Sequence, residues 1–575
     1  MTKPTKYISN QQGHAIITAV IFVTITVILT LGYLSWASYE KVALKRHYAE
    51  VQAELAARSG IAEMVFPQIA IAPPSKDTTY GVFNLTPGTY QGSEFQKSYL
   101  ATSKPTRGNN FRSAFVGKST GRVTYKNTKG EDIRVEKTVS IMTAPDDFSK
   151  FMYFTRNEKA GGGAYVFDGP GARRNVTFGS NDVLEGRVHS NGTLVMSNFG
   201  CPTFLGHVST SPDGGISLGN QCTLDGILGS NDSKFDTVET IQYPPPGALD
   251  RIRNGATWRF DAGKELGGSD PIDKLIMTEI QFQQGGFRIW QWPYLIPSSQ
   301  NSDPDTVAMY HPDMWTVNGR FHHFDFPKPT NPDDFIEGMN GVFKSGDEGV
   351  IYVKNGQVLV HGVVDGKFTI ATDYYTTYRA AGGLFGTTID TVFNNIWITG
   401  DIRYLDSNPT TGQVQDGSPN RLGLVSGANV IIANTLQNGA ANSRLHSGVV
   451  INAAIMAMHE SFLAHYWQNT TQDAWAPPKG DGRGPMRVNN GNTTGNTDYR
   501  GVITLYGSVV QMYRGYVKRN APGPYPTGDI GYDKDYHYDY NFLDYPPPLY
   551  PVQTTESGAV SMSLTDYTVG DIQTE

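Results

Sequence analysis

Charged residues and cysteines are scarce in this chain of 575 residues. Asp, Glu, Lys and Arg make up 18% of the sequence, only two residues are cysteine, and the formal net charge is −7. Because there is no basic patch and no nucleic-acid-binding motif, we expect no nucleic-acid partner. The sequence has 63 glycines, 33 prolines and 31 tyrosines, and 39% of it is hydrophobic. This composition favours turn-rich β-structure over a coiled coil or a disordered chain.

Recognisable catalytic motifs are also missing. The chain contains no Walker A loop, no H-E-x-x-H, no C-x-x-C and no G-x-S-x-G. His322 and His323 are adjacent, so on a strand they face opposite sides and do not form a metal-binding pair. Asp303 and Asp305 could supply oxygen ligands to Ca²⁺, but an Asp-rich loop is more often simply solvated. We therefore expect no enzyme, no metal site and no cofactor; a polysaccharide-cleaving carboxylate pair is the enzymatic alternative.

A single long apolar run is present, close to the N-terminus. Ala15–Trp36 carries no charge, and at about 1.5 Å per residue it is long enough to cross the roughly 30 Å core of a bilayer as a helix. Lys3 and Lys6 precede it. Basic residues also follow it closely, so flanking charge alone does not fix the orientation of the span.

The helical pattern continues beyond the span. Apolar side chains recur at steps of three, four or seven residues at Leu44, Tyr48, Val51, Leu55, Ala62 and Val65. This spacing predicts an amphipathic helix, which Pro67 should end. We therefore predict one helix over 14–66, membrane-spanning over 15–36 and amphipathic over 37–66. We expect a small sheet to cover the stripe of Tyr48, Val51 and Leu55.

Three interpretations of this N-terminal region remain open. It is a pilin-like helix preceded by a leader at 1–13, a plain signal anchor, or a secretory signal peptide cut after Ala37. Ser35-Trp36-Ala37 offers a small-x-small cleavage site, but the apolar run is long for a signal peptide.

The short basic leader ending in Gly, the apolar helix and its amphipathic continuation resemble type IV pilins. Ala53–Met64 (AELAARSGIAEM) is similar to a segment of PilX-type minor pilins. The resemblance implies that a prepilin peptidase cleaves after Gly13 and leaves His14 as the first mature residue. It also implies a single-pass protein of the bacterial inner membrane, with its C-terminal part periplasmic or extracellular. Other pilin-like subunits would then pack against an assembly helix that includes Ala15, Thr18, Trp36, Val51 and Leu55.

Two positions depart from the pilin pattern. The family favours Phe or Met at the position of His14, and usually has Glu at the position of Thr18. A missing Glu is typical of some minor pilins thought to cap or initiate a filament. The resemblance therefore implies a minor or tip subunit and not a major one.

The remainder of the chain is predicted to be mainly β, which gives an α+β fold dominated by strands. Short apolar runs alternate with Gly, Asn and Asp, a texture that favours a β-helix or similar solenoid, with a distorted β-sandwich as the alternative. This part also resembles an envelope domain of unknown function that follows PilX-type helices. The predicted segments are a pilin-like β unit at 67–150, β-solenoid at 151–231 and 349–520, an aromatic-rich insertion at 232–348, and a Pro- and Tyr-rich tail at 521–575 that frays after Gln553.

Two further features bear on function. Cys201 and Cys222 would lie in an oxidising compartment after export, so we expect a disulfide, with two buried thiols as the alternative. Trp290, Trp292 and Tyr294 alternate along a predicted strand and so share one face. Such a row either packs in a core or binds glycans or a protein partner.

From the N-terminal resemblance, we expect a structural minor or tip subunit of a type IV pilus-like or related secretion filament. The alternative is a membrane-anchored, carbohydrate-binding adhesin without a filament role.

Overall fold

The computed structural model describes the following parts of the chain: 11–68, 81–90, 93–101, 115–127, 129–160, 175–230, 233–245, 247–263, 265–266, 273–294, 330–336, 340–344, 348–382, 386–433, 435, 437–438, 448–464, 498–519, 530–554 and 561–571. The structure is mainly β, with one long N-terminal helix and a small antiparallel sheet. The chain divides into two compact units, one of 1–104, 113–144 and 562–575, and one of 105–112 and 145–561.

Helix α1 spans Gln11–Gln68 without interruption. The prediction of one helix that continues through the apolar run into the amphipathic segment is confirmed. At about 1.5 Å per residue, its 58 residues extend roughly 87 Å. Gly13 and His14 lie in its first turn, so the helix begins slightly before the predicted start.

The first unit joins α1 to a five-stranded sheet. Its strands are β1 (Gly81–Tyr90), β2 (Ser93–Ala101), β3 (Phe115–Lys126), β4 (Asp132–Pro145) and β32 (Met562–Asp571), in the order β1-β2-β3-β4-β32. The turn at Asn127–Gly130 closes the β3–β4 hairpin as predicted. The fraying predicted after Gln553 is wrong, because the alternating sequence MSLTDYTV belongs to an edge strand of this sheet.

The sheet packs on a different face of α1 from the one predicted. The buried helix residues are small, apart from the last: Ala49, Ala53, Ala56, Ala57, Gly60 and Ile61. Tyr48 is 64% exposed, and Val51 and Leu55 are each 41% exposed, so the prediction that the sheet covers them is wrong. A Cβ atom at Gly121 of β3 would lie 1.9 Å from the carbonyl oxygen of Ala53. The two backbones approach so closely that only small helix side chains fit between them.

The second unit contains the other strands. They are β5 (Tyr153–Ala160), β6 (Thr177–Phe178), β7 (Val183–Glu185), β8 (Val188–Ser190), β9 (Thr193–Met196), β10 (Thr203–Leu205), β11 (His207–Thr210), β12 (Gly215–Ser217), β13 (Lys234–Thr237), β14 (Trp258–Asp261), β15 (Glu265–Leu266), β16 (Asp273–Gln283), β17 (Gly286–Tyr294), β18 (Asn340–Lys344), β19 (Glu348–Lys354), β20 (Gln357–Val364), β21 (Lys367–Thr372), β22 (Tyr375–Gly382), β23 (Gly386–Phe393), β24 (Ile396–Tyr404), β25 (Arg421–Ser426), β26 (Val430–Ile432), β27 (Gly448–Ala457), β28 (Phe462–Ala464), β29 (Asp498–Arg514), β30 (Lys518–Arg519) and β31 (Ile530–Tyr538). Within the described ranges, three short α-helices accompany them: α2 (Leu224–Ile227), α3 (Ala248–Gly255) and α4 (Asn541–Asp544).

Most of these strands pair in parallel ladders. One ladder runs β14-β19-β21-β25-β27-β29-β5-β8-β11-β13. A second runs β16-β20-β24-β27-β29-β31-β7-β10. A third joins β20, β24, β26 and β28, and a separate sheet contains β6, β9 and β12. The order is not sequential, because β29 and β31 near the C-terminus pair with β5 and β7.

The segment predicted as an insertion contributes to these ladders. β13, β14 and β16 all lie within 232–348 and pair in parallel with strands of both predicted β-rich parts. The predicted tail also contributes to the ladders, since its strand β31 pairs with both β29 and β7. The chain that follows β31, around Tyr545 and Pro548, runs across β25 and β21. There Arg421 donates to the Tyr545 carbonyl and Thr369 to the Pro548 carbonyl.

Candidate functional site

The exposed surface of α1 is the most extensive apolar surface in the described part of the chain. This helix is long and apolar enough to span a membrane, and none of its most apolar window is buried within the structure. Large side chains such as Phe22 and Trp36 are 72% and 58% exposed. Exposed apolar area of this extent is typical of a segment that contacts lipid or other helices.

The polar groups of the apolar half are satisfied within the helix. The hydroxyls of four threonines each donate to the carbonyl oxygen four residues earlier, at 2.6–2.8 Å: Thr18, Thr24, Thr26 and Thr30. A hydroxyl bonded in this way can face lipid without an unsatisfied polar group. Thr18, where the pilin family usually has Glu, therefore presents no free hydrogen-bond donor to its surroundings.

The second half of α1 carries charge and a remaining apolar stripe. Arg46 pairs with Glu50 at 3.0 Å and Arg58 with Glu54 at 2.6 Å, both one helical turn apart and exposed to solvent. Four of the large apolar residues exposed on this half follow one another at alternating steps of four, three and four: Leu44, Tyr48, Val51 and Leu55. This is the spacing of a helix–helix seam. Because the sheet of the first unit packs on the small residues, this stripe is available for an intermolecular contact.

The aromatic row proposed as a glycan platform is buried. Trp290, Trp292 and Tyr294 share one face of β17 as predicted, but they are only 7%, 3% and 8% exposed. They belong to a hydrophobic cluster that also includes Trp397 and Tyr378. The Tyr294 hydroxyl interacts with the Gln357 side chain at 2.8 Å, and burial raises the pKa of Tyr294 well above its ordinary value. Their role in the described structure is packing, because too little of each ring is accessible to stack on a sugar.

Cys201 and Cys222 form the predicted disulfide, with their Cα atoms 5.6 Å apart. The bond joins two turns that follow β9 and β12. Gly219 and Gly200 allow these turns to stack closely, because a Cβ at Gly219 would meet the Ser197 carbonyl and one at Gly200 would meet Ser180. The disulfide therefore braces a rigid corner of the second unit.

A cleft that the sequence did not reveal lies beside this corner. Its volume is about 440 Å³, and its walls include the turns 179–182 and 197–199 together with residues from 516–518 and 533–534. Lys534 pairs with Asp182 at 2.6 Å, and Lys518 pairs with Asp533. Burial lowers the pKa of Lys534, although Asp182 opposes the shift. No sequence motif connects these residues, because they are about 350 positions apart and only the ladder order brings them together.

The remaining predicted site residues lie elsewhere. His322, His323, Asp303 and Asp305 are outside the described residues. Within the described ranges, no group of three or more His, Cys, Asp or Glu residues is arranged to hold a metal ion. His14 and Ala15 are exposed at the start of α1. The chain matches no protein-family model, no curated protein and no solved structure, so no family assignment follows from such similarity.

Proposed function

We propose that this chain is a membrane-anchored, pilin-like subunit that assembles through α1 and displays a large β-rich domain. The observation that carries the proposal is that α1 uses only one of its faces for contact within its own unit. The sheet packs on the face of small residues, while the span and the stripe of Leu44, Tyr48, Val51 and Leu55 remain exposed. A helix serving only as a tether would gain nothing from an exposed apolar stripe beyond the membrane.

The stripe favours helix–helix assembly for a second reason. Its period of 3.5 residues matches the knobs-into-holes packing of helices at small crossing angles. Arg46, Glu50, Glu54 and Arg58 flank it, so the helix remains soluble where it leaves the bilayer. As a subunit of this kind, the protein would be processed after Gly13, reside first in the inner membrane, and have its β-rich domain periplasmic or extracellular. The absence of Glu at Thr18 favours a minor or tip position.

We also propose that the second unit is a β-solenoid with three faces. Strands β20, β24, β27 and β29 each contribute to two ladders, as they would if the chain turned a corner within one coil. Inward side chains stack in register, for example Ile396, Val430 and Phe462, all at most 2% exposed. The preceding corners repeat a hydrogen bond. Asn395 Oδ1 accepts from the Asn429 backbone and Asn429 Oδ1 from the Ser461 backbone, at 3.0 and 3.1 Å.

Processing is tested by mass spectrometry of the protein purified from its native membrane. We expect the mature chain to begin at His14. A chain that begins at Met1 indicates an unprocessed anchor, and one that begins at Ser38 indicates signal-peptide cleavage; either result contradicts the pilin-like proposal.

Assembly is tested with Val51→Glu and the matched control Gln52→Glu. Both variants add one negative charge to adjacent positions, but Val51 belongs to the exposed stripe, whereas Gln52 is half-buried and lies outside it, donating from Nε2 to the Tyr48 hydroxyl at 3.1 Å. We expect Val51→Glu to reduce the amount of the chain in purified filaments at least about tenfold, since burying an unpaired charge is costly, and Gln52→Glu to leave it near wild type. Equal incorporation of the two variants, or absence of the wild-type chain from filaments, contradicts the proposal.

A further inference from the structure

We infer that the cleft beside the Cys201–Cys222 corner binds a neutral carbohydrate, with the ring of Phe199 stacking on a sugar face. The cleft volume of about 440 Å³ lies within the usual range of ligand sites. This site is distinct from the assembly helix and does not depend on the proposed role of α1.

The first observation is an exposed aromatic ring on a rigid turn. Phe199 is 73% exposed, and Leu218 beside it is 41% exposed. The Phe199 backbone N–H donates to the Ser197 hydroxyl at 3.0 Å. The Asn220 backbone N–H donates to Asn198 Oδ1 at 3.1 Å, which ties the next turn to this one. The Cys201–Cys222 disulfide spans the same two turns. The backbone that carries the ring is thus held in place, which lowers the entropy lost when a ligand binds.

The second observation concerns charge. Both lysines of the cleft are paired with carboxylates, Lys534 with Asp182 and Lys518 with Asp533. These side chains are at most 14% exposed, so the pairs form the floor of the cleft and not its rim. Asn181 Nδ2 also donates to Asp533 Oδ2 at 3.4 Å. Because the opposite charges cancel, the site has no net attraction for an anionic or a cationic ligand.

These two observations together indicate which chemical class of ligand the cleft would bind. A sugar ring has an apolar C–H face, which suits the exposed face of Phe199, and a rim of hydroxyls that both donate and accept hydrogen bonds. Amides, hydroxyls and carboxylates line the cleft at Asn181, Asn198, Ser180 and Asp182, and such groups match hydroxyl ligands. A bound peptide would instead require several apolar pockets or a free strand edge, whereas Phe199 and Leu218 are the large apolar residues of the described lining that are exposed.

The experiment measures binding of the full-length chain in detergent micelles to neutral and acidic oligosaccharides of matched length, by glycan array and then by calorimetry. The probes are glucan, mannan and galactan oligosaccharides and, as the acidic comparison, oligogalacturonate. The variants are Phe199→Ala and Phe199→Trp, with Leu405→Ala as the control for an exposed apolar residue outside the cleft, since Leu405 is 43% exposed.

We expect saturable binding of at least one neutral oligosaccharide, weakened about tenfold or more by Phe199→Ala. Phe199→Trp, which retains a flat ring, and Leu405→Ala should both bind within about threefold of wild type. The inference is overturned by the absence of binding to every neutral probe, by a preference for the acidic probe, or by binding that Phe199→Ala leaves unchanged. Saturable binding of an unrelated unfolded polypeptide at the same cleft, competed by no sugar, also overturns it.

Discussion

Arg514 and Glu158 form an ion pair from which water is almost wholly excluded. Their side chains are 2% and 3% exposed, and Nη1 lies 3.0 Å from Oε2. The guanidinium also donates to the carbonyls of Val176 and Thr177 and lies 3.4 Å from the centroid of the Phe178 ring. It therefore joins β29 to β5 and to the start of β6, strands that are far apart in the sequence. Without the guanidinium, the Glu158 carboxylate oxygen and the two carbonyl oxygens would each lose a hydrogen bond.

We predict that Arg514→Met destabilises the folded chain by about 3–5 kcal/mol, because it leaves the Glu158 carboxylate buried without its counter-charge. The double variant Arg514→Met/Glu158→Gln should recover a large part of this loss, since no buried charge remains. Urea denaturation followed by tryptophan fluorescence measures both. A single variant within about 1 kcal/mol of wild type, or a double variant less stable than the single one, contradicts the prediction.

His189 is a buried imidazole held in its neutral form. Asn191 Nδ2 donates to the Ile241 carbonyl at 2.7 Å, which leaves Asn191 Oδ1 to accept from His189 Nε2–H at 2.9 Å. His189 Nδ1 then accepts from the Ser209 hydroxyl at 2.8 Å. Burial lowers the pKa of His189 to about 4; the hydrogen bond to Asn191 opposes this shift, and the positive charges of Arg187 and His207 add to it.

This lowered pKa predicts a loss of stability in mild acid. Above the unfolded pKa of about 6.5, both states hold a neutral imidazole and His189 contributes no pH dependence. As the pH falls from about 6.5 to about 4, only the unfolded state takes up the proton, so unfolding becomes easier by up to about 3 kcal/mol. The free energy of unfolding of wild type should therefore fall relative to that of His189→Gln by up to about 3 kcal/mol as the pH falls from 7 to 4.

The difference between the two proteins isolates His189 from other titrating groups. His537 contributes in the opposite direction. Burial alone would lower its pKa, but hydrogen bonds to Asp535 and Glu185 raise it, so its stabilising effect is lost as the pH rises through its folded pKa. Because His537 is present in both proteins, its contribution cancels. Parallel stability curves for wild type and His189→Gln would show that His189 is not a buried neutral group.

The packing of α1 on its sheet depends on the absence of side chains at the contact. Gly121 of β3 faces Ala53 and Ala57, and a Cβ atom there would lie 1.9 Å from the Ala53 carbonyl oxygen and 2.7 Å from the Ala57 nitrogen. Backbone atoms line this contact, so neither side can yield by changing a rotamer. Any larger residue must separate the helix from the sheet.

We predict that Gly121→Ala destabilises the first unit by about 2 kcal/mol or more. Lys118→Ala on the same strand is the control, because Lys118 is exposed and its loss removes no close contact. Hydrogen exchange of β3 and β4 amides, read by mass spectrometry, should accelerate in Gly121→Ala and remain unchanged in Lys118→Ala. Equal protection in the two variants would mean that the close helix–sheet contact does not form.

The sequence predicted the length of α1 but not the face that its sheet covers. An uncharged run and good helix formers were sufficient to predict the helix, although it includes Pro67, which was predicted to stop it, and ends at Gln68. The stripe of large residues was assigned to the intramolecular contact because burial normally follows side-chain size. In this chain the alanines are buried instead, since Gly121 brings the sheet to backbone distance. A pattern of small residues at 49, 53, 56, 57 and 60 was the available signal.

The same reasoning explains the outcome for Trp290 and Trp292. Alternation correctly predicted that they share a face of one strand. It could not show which surface covers that face, because Trp397, Tyr378 and Leu359 come from three other strands. The cleft beside Phe199 could not be predicted from the sequence for a related reason. Its floor combines residues near 180 with residues near 533, and no local sequence pattern indicates that two such distant segments are neighbours.

At the level of the molecule, the strand ladders are continuous only when the C-terminal strands are present. β5 pairs with β29, and β7 pairs with β31, across more than 300 residues of sequence. The side chains that join them include Arg514–Glu158 and Lys534–Asp182. Repeated β-rich segments in the sequence predicted stacked strands, but not that the last segments would lie next to the first. Such non-local pairing also predicts slow folding.

We therefore predict that a chain ending at Thr497 loses order well beyond the deleted part. Removal of β29 and β31 takes away one of the two neighbouring strands of β5 and of β7, and it removes the counter-charges of buried Glu158 and Asp182. Limited proteolysis should then cut within 175–237 at least about tenfold faster than in the full-length chain, because the open state becomes more populated.

A chain ending at Thr554 provides the matched comparison. It lacks only the last part of the sequence, including β32, which belongs to the five-stranded sheet of the first unit. The ladders of the second unit keep all their strands, so 175–237 should resist protease as in the full-length chain while the β4 amides of the first unit exchange faster. If the chain ending at Thr497 protects 175–237 as well as the chain ending at Thr554 does, then the N-terminal strands fold without the C-terminal ones, and the ladder order described above does not determine stability.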